Sequence, residues 1–127
     1  MTVRNVMRAL VALGLLFAGT VLARAPGDRV LARWSGDGLW YPARISQIAG
    51  GDVGVAFDDG DVAVVGAADV RGIDWHPGTR LQCNWKNQGR YYSGAVAAME
   101  GEQITFHYDD GYDETMTISR CRQSGPE

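Results

Sequence analysis

Two stretches decide the fold: Arg29-Val30-Leu31-Ala32-Arg33-Trp34-Ser35-Gly36-Asp37-Gly38-Leu39-Trp40-Tyr41-Pro42-Ala43-Arg44-Ile45 and Arg80-Leu81-Gln82-Cys83-Asn84-Trp85-Lys86-Asn87-Gln88-Gly89-Arg90-Tyr91-Tyr92-Ser93-Gly94-Ala95-Val96. They are one text written twice, 51 residues apart. Worked outward, the offset lays residues 27–71 over 78–122, 45 positions without a gap. Ten positions are identical: Gly27/Gly78, Arg29/Arg80, Trp34/Trp85, Gly38/Gly89, Tyr41/Tyr92, Gly50/Gly101, Asp58/Asp109, Asp59/Asp110, Gly60/Gly111 and Arg71/Arg122. Others match in type, among them Trp40/Tyr91, Ile45/Val96, Ile48/Met99, Val53/Ile104 and Phe57/Tyr108. A repeat of this period is an architectural signal, and two copies make a tandem pair rather than a solenoid.

Each copy reads as β structure. Residues 29–34 form a short strand ending in an aromatic, and residues 39–48 a longer one with Tyr41, Ala43, Ile45 and, less regularly, Ile48 on its apolar side. Gly50-Gly51 suits a tight hairpin, residues 53–57 alternate with small side chains, and Asp59-Gly60 is a second hairpin signal. Residues 62–65 and 69–71 complete the unit, and copy two follows with 80–85, 91–99, 103–108, 112–118 and 120–122. No segment beyond the first 25 residues carries an amphipathic helix of three turns. The expected fold is all-β: two tandem five-stranded small barrels, residues 26–71 and 78–122, with a linker at 72–77 and a tail at 123–127. A unit this small approaches the size at which a lone core is marginal. Two staples are expected, namely packing of the copies against each other with Trp75 as glue, and a disulfide between Cys83 and Cys121.

The first 25 residues differ from the rest. Arg4 and Arg8 make a basic start, residues 9–23 are uncharged and apolar, and small residues close the run at Ala23 and Ala25. Fifteen residues are short for a bilayer span, which needs about 20. The pattern is that of a secretory signal peptide, cleaved after Ala23 or Ala25. An even cysteine count agrees with an oxidising destination, periplasmic or secreted. Loss of Arg4, Arg8 and Arg24 takes the 12 basic residues to 9 against 15 acidic ones, so the mature chain is near −6. Lys86 is its single lysine. Such a surface repels phosphate backbones and suits a cationic partner, so neither nucleic acid nor, after cleavage, a membrane is expected as a partner.

The repeated residues resemble a tandem Tudor domain, a pair of SH3-like barrels, and are most similar to the pair in chromatin mediators that read methylated lysine. The residues that carry the likeness are 29–34, 38–45 and Phe57-Asp58-Asp59-Gly60 in copy one, and 80–85, 89–96 and Tyr108-Asp109-Asp110-Gly111-Tyr112 in copy two. The resemblance implies an aromatic cage. It is built from the first-strand Trp, the Tyr seven positions on, the aromatic before Asp-Asp-Gly, the second Asp, and the Tyr after the Gly. Copy two has all five as Trp85, Tyr92, Tyr108, Asp110 and Tyr112. Copy one has Trp34, Tyr41, Phe57 and Asp59, but Asp61 stands where the last tyrosine would be, which is expected to leave that cage open on one wall.

A methylated ammonium is apolar at its surface yet charged, and aromatic faces offer it negative quadrupole at about 0.5–2 kcal/mol per contact. The resemblance therefore implies a binding module for a cationic or methylated-amine group, held mainly by copy two, at roughly micromolar to millimolar affinity. Because histone readers work in the nucleus and this chain carries an export pattern, the chromatin role is not carried over with the fold. The alternative is an interaction scaffold for an envelope protein, in which the aromatics are core. His76 and His107 lie apart with no nucleophile, base and orienting acid at a usable spacing, so no enzyme, metal or cofactor is expected.

Overall fold

The computed structural model describes residues 23–125; residues 1–22, which hold the charged and apolar parts of the expected leader, and residues 126–127 lie outside it. The chain is all-β. Copy one contributes β1 (Arg29–Arg33), β2 (Trp40–Ala49), β3 (Asp52–Phe57), β4 (Val62–Gly66) and β5 (Val70–Arg71). Copy two contributes β6 (Arg80–Asn84), β7 (Tyr91–Glu100), β8 (Gln103–Tyr108), β9 (Asp113–Thr117) and β10 (Cys121–Arg122). The sheets run β4-β3-β2-β1-β5 and β10-β6-β7-β8-β9, antiparallel throughout. Strand ends differ from the expected ones by a residue or two. Trp85 and Ile118 fall in short 3₁₀ turns instead of strands, and Tyr112 precedes β9. Among the described residues no helix is long and apolar enough to cross a membrane.

The irregular place of Ile48 has a cause. A bulge in β2 between Ile45 and Gln47 shifts the register against β3, and Ile48 ends up 40% exposed. The same bulge recurs in β7 between Val96 and Ala98. An extra residue in a long strand bends it sharply, which lets one strand serve both sides of a small barrel.

Each copy fills its core in its own way. Copy one buries Val30, Ala32, Ala43, Ile45, Val53, Val55, Phe57 and Val70. In copy two Val55 becomes Phe106, and Ala43 becomes Gly94. A Cβ on Gly94 would lie 2.3 Å from the His107 carbonyl oxygen and 2.7 Å from the Phe106 ring. The larger ring is thus accommodated by deleting a methyl across the strand pair, which keeps the core volume filled without overlap.

The expected disulfide is present between Cys83 and Cys121. These residues face each other across β6 and β10, at the positions where copy one pairs Ala32 with Val70 across β1 and β5. Both sulfurs are buried. The bridge closes a span of 38 residues, and cross-linking a loop of that order stabilises by about 2–4 kcal/mol. The double variant Cys83→Ala/Cys121→Val, which restores the packing pair of copy one, should lose about that much stability. Urea denaturation measures it, and an unchanged midpoint would show that packing alone holds this strand pair.

The copies are welded together. Leu31 and Trp40 of copy one and Trp75 of the linker share one buried cluster with the copy-two core. Past β10 the chain crosses over: Gln123 exchanges both backbone hydrogen bonds with Trp40, at 2.8 and 2.9 Å. The Gln123 side-chain oxygen accepts from Trp75 Nε1 and Arg71 Nη2, each at 2.9 Å. Arg29 donates to Glu102, and the Ser119 hydroxyl donates to Asp58.

Candidate functional site

Most of the ten repeated identities have a structural task. The four glycine pairs sit at φ between 60° and 99°, a region that side chains disfavour. Arg29 pairs with Asp58 as Arg80 pairs with Asp109, each through two guanidinium nitrogens. Partial desolvation alone would raise the Asp58 pKa, but the Arg29 guanidinium and the Ser119 hydroxyl hold it below the usual range. Arg71 stacks 4.1 Å over Trp40 and Arg122 stacks 3.9 Å over Tyr91, so the Arg71/Arg122 identity serves a repeated cation–π contact. Asp59 and Asp110 accept the backbone N–H two residues on, at 2.9 and 3.0 Å, which fixes the hairpin turn.

Two identities remain, Trp34/Trp85 and Tyr41/Tyr92. They are half-buried or exposed, and they wall two hollows. In copy one, a cavity of about 230 Å³ is lined by Trp34, Tyr41, Phe57 and Asp59, joined by Asp37, Pro42, Asp58 and Asp61 and by Tyr91 and Ser119 of copy two. Phe57 is the buried floor, with Trp34 and Tyr41 edge-on to it at 5.7 and 6.4 Å. The Tyr41 hydroxyl donates to Asp37 and accepts from Arg122 at 3.0 Å. Burial first, then the hydrogen bond to Asp37, pushes the Tyr41 phenol up to about 12, so its ring stays neutral at physiological pH. Among the described residues no ion pair engages Asp37, Asp59 or Asp61.

In copy two a hollow of about 220 Å³ is lined by Trp85, Tyr92, Tyr108 and Asp110. Tyr108 is the buried floor, edge-on to Phe106 at 4.9 Å, its hydroxyl donating to Glu114. Trp85 lies 6.5 Å from Tyr92 and 6.1 Å from Tyr112, ring centre to ring centre. All four residues expected at copy one line its cavity, and four of the five expected at copy two line the other. Tyr112, though next to Trp85, is not part of the hollow's lining.

The sequence reading missed Tyr91, Asp37 and Ser119. The signal for Tyr91 was available in the doublet Tyr91-Tyr92, since adjacent strand residues face opposite ways. Tyr92 faces its own hollow and Tyr91 faces that of copy one, as Tyr41 faces its own hollow and Trp40 enters the copy-two cluster. Copy two thus supplies a further ring, Tyr91, to the copy-one cavity.

Residues 26–73 match the family model described as the DNA repair protein Crb2 Tudor domain. The crystal structure of Crb2 tandem Tudor domains superposes with a TM-score of 0.57 at 18% identity, covering 81% of this chain and 82% of that one. Weaker likenesses are the crystal structure of Arabidopsis thaliana AGDP1 AGD34 (TM-score 0.41, 13% identity, 78% and 81% covered) and the mouse TDRD1 extended Tudor domain TD3 in complex with a dimethylarginine-containing MILI peptide (TM-score 0.40, 20% identity, 82% and 72% covered). A search of curated proteins found no match. The fold is that of a tandem Tudor-like pair.

Proposed function

We propose that the protein is an exported, non-catalytic binding module that takes a cationic or methylated-amine group, on a peptide side chain or a small quaternary amine. One observation carries the reading. Once the fold's own tasks are assigned, the repeated residues left over are Trp34/Trp85 and Tyr41/Tyr92, and they are ring walls of cavities of the same size. A cavity of this kind replaces the water around an apolar-coated cation with π-faces, and nearby carboxylates add attraction.

Of the two hollows, that of copy one is favoured as the working site. It gathers four aromatic residues from two modules beside three carboxylates, Asp37, Asp59 and Asp61, that have no ion-pair partner among the described residues. Export is supported by the leader pattern and by the pairing of the chain's two cysteines; the mass of the mature N-terminus tests it directly.

The binding test is a titration with trimethyl-lysine, dimethylarginine and choline, following indole N–H shifts. Saturable binding at micromolar to millimolar concentration is expected, tighter for the methylated amine than for unmodified lysine. No response at ten millimolar, or equal response to plain lysine, overturns the reading.

A further inference from the structure

Copy two presents a cation of its own to its rings. Lys86, the sole lysine of the chain, holds its Nζ 4.8 Å from the Trp85 ring centre and 5.8 Å from that of Tyr112. The backbone directs it there. Lys86 and Asn87 have φ of 51° and 57°, and among the described residues no other non-glycine residue has positive φ. Two consecutive left-handed residues are disfavoured unless something holds them. Here Glu114 accepts the Lys86 backbone N–H, at 3.2 Å to one oxygen and 3.3 Å to the other. The carboxylate is itself fixed by Arg120 at 2.7 Å and by the Tyr108 hydroxyl at 2.9 Å. Asn84 closes the turn by accepting from Gly89 N–H at 2.7 Å. In copy one the aligned residue is Ser35, and no cation lies over Trp34, Tyr41 or Phe57 among the described residues.

We propose that Lys86 is an internal occupant of the Trp85–Tyr112 ring pair beside the copy-two hollow, so that copy two is a latent second site whose outer rings a methylated or quaternary cation reaches only by competing with it. The inference rests on the reading that such rings bind cations. A tethered competitor acts at high effective concentration and lowers apparent affinity by the fraction of time it leaves the rings free. A single cation–π contact gives roughly two- to thirtyfold masking. A plain ammonium is strongly hydrated, so a methylated cation of lower hydration can displace it.

The test is a titration of the full disulfide-bonded chain with trimethyl-lysine, reading the Trp34 and Trp85 indole signals as separate reporters. Lys86→Gly suits the left-handed backbone and removes the cation, whereas Lys86→Arg keeps a cation. In Lys86→Gly the affinity reported by Trp85 should tighten by roughly two- to thirtyfold, with that reported by Trp34 unchanged; Lys86→Arg should stay masked. The Lys86 ε-methylene protons of the unaltered protein should be shifted upfield by the ring currents. Unshifted ε-protons, or a Trp85 affinity equal in all three proteins, overturn the proposal. A responding Trp34 with Trp85 silent even in Lys86→Gly overturns this inference and leaves the proposed function standing. A silent Trp34 with Trp85 unmasked by Lys86→Gly does the reverse for copy one.

Discussion

Trp75→Ala should lower the unfolding free energy by about 3–5 kcal/mol, the range for truncating a buried aromatic to alanine. Trp75 is only 6% exposed, and it belongs to neither repeat, yet it packs in one cluster with Leu31 and Trp40 on one side and the copy-two core on the other. Its indole N–H holds the Gln123 side chain, which also receives Arg71, while the Gln123 backbone bridges to Trp40. Removing the ring opens a cavity at the seam and leaves Gln123 with one fewer donor. The loss should therefore appear as weakened coupling as well as a lower midpoint. Thermal unfolding should shift down by more than about 12 °C and broaden as the barrels cease to melt as one. A change below about 1 kcal/mol, with a sharp single transition, would mean that the seam does not depend on this side chain.

The sequence revealed the barrels because each repeats its turn chemistry. Glycines at positive φ recur at fixed offsets, and the Asx turns at Asp59 and Asp110 recur with them. Such local signals survive without knowledge of the partner strand. The bulge at Ile45 was visible only as a failure of alternation at Ile48, because one extra residue changes register without changing composition. How the copies dock was not readable from the repeat. An offset equates residues of the two barrels, but it carries nothing about which faces meet. That is why Tyr91 was matched to Trp40 yet not assigned to the copy-one cavity. The role of Lys86 was hidden for a related reason, since its side-chain direction depends on two left-handed residues that the letters Lys-Asn do not announce. Trp75 was readable because a lone aromatic in a short linker has few places to go other than between modules.

Trp34→Ala should weaken binding at copy one by at least about thirtyfold, the effect of removing an aromatic anchor from a binding pocket, and yet leave the barrel folded. The separation between binding and folding is what distinguishes a cage wall from core. Phe57 is 6% exposed and buried among copy-one apolar side chains, so Phe57→Ala should cost about 3–5 kcal/mol of stability and lose binding only as a consequence. Trp34 touches that core from its rim, edge-on to Phe57 at 5.7 Å, and its truncation should cost less than about 2 kcal/mol. Tyr41→Phe is the finer probe. It keeps the ring but removes the hydroxyl that links Asp37 to Arg122, so a few-fold loss points to carboxylate positioning and no loss assigns the work to the ring face. Calorimetry for binding and urea melts for stability separate these effects. If Trp34→Ala binds trimethyl-lysine as well as the unaltered protein, or unfolds as readily as Phe57→Ala, the aromatic ring set of copy one is packing and the amine must be sought elsewhere on the molecule.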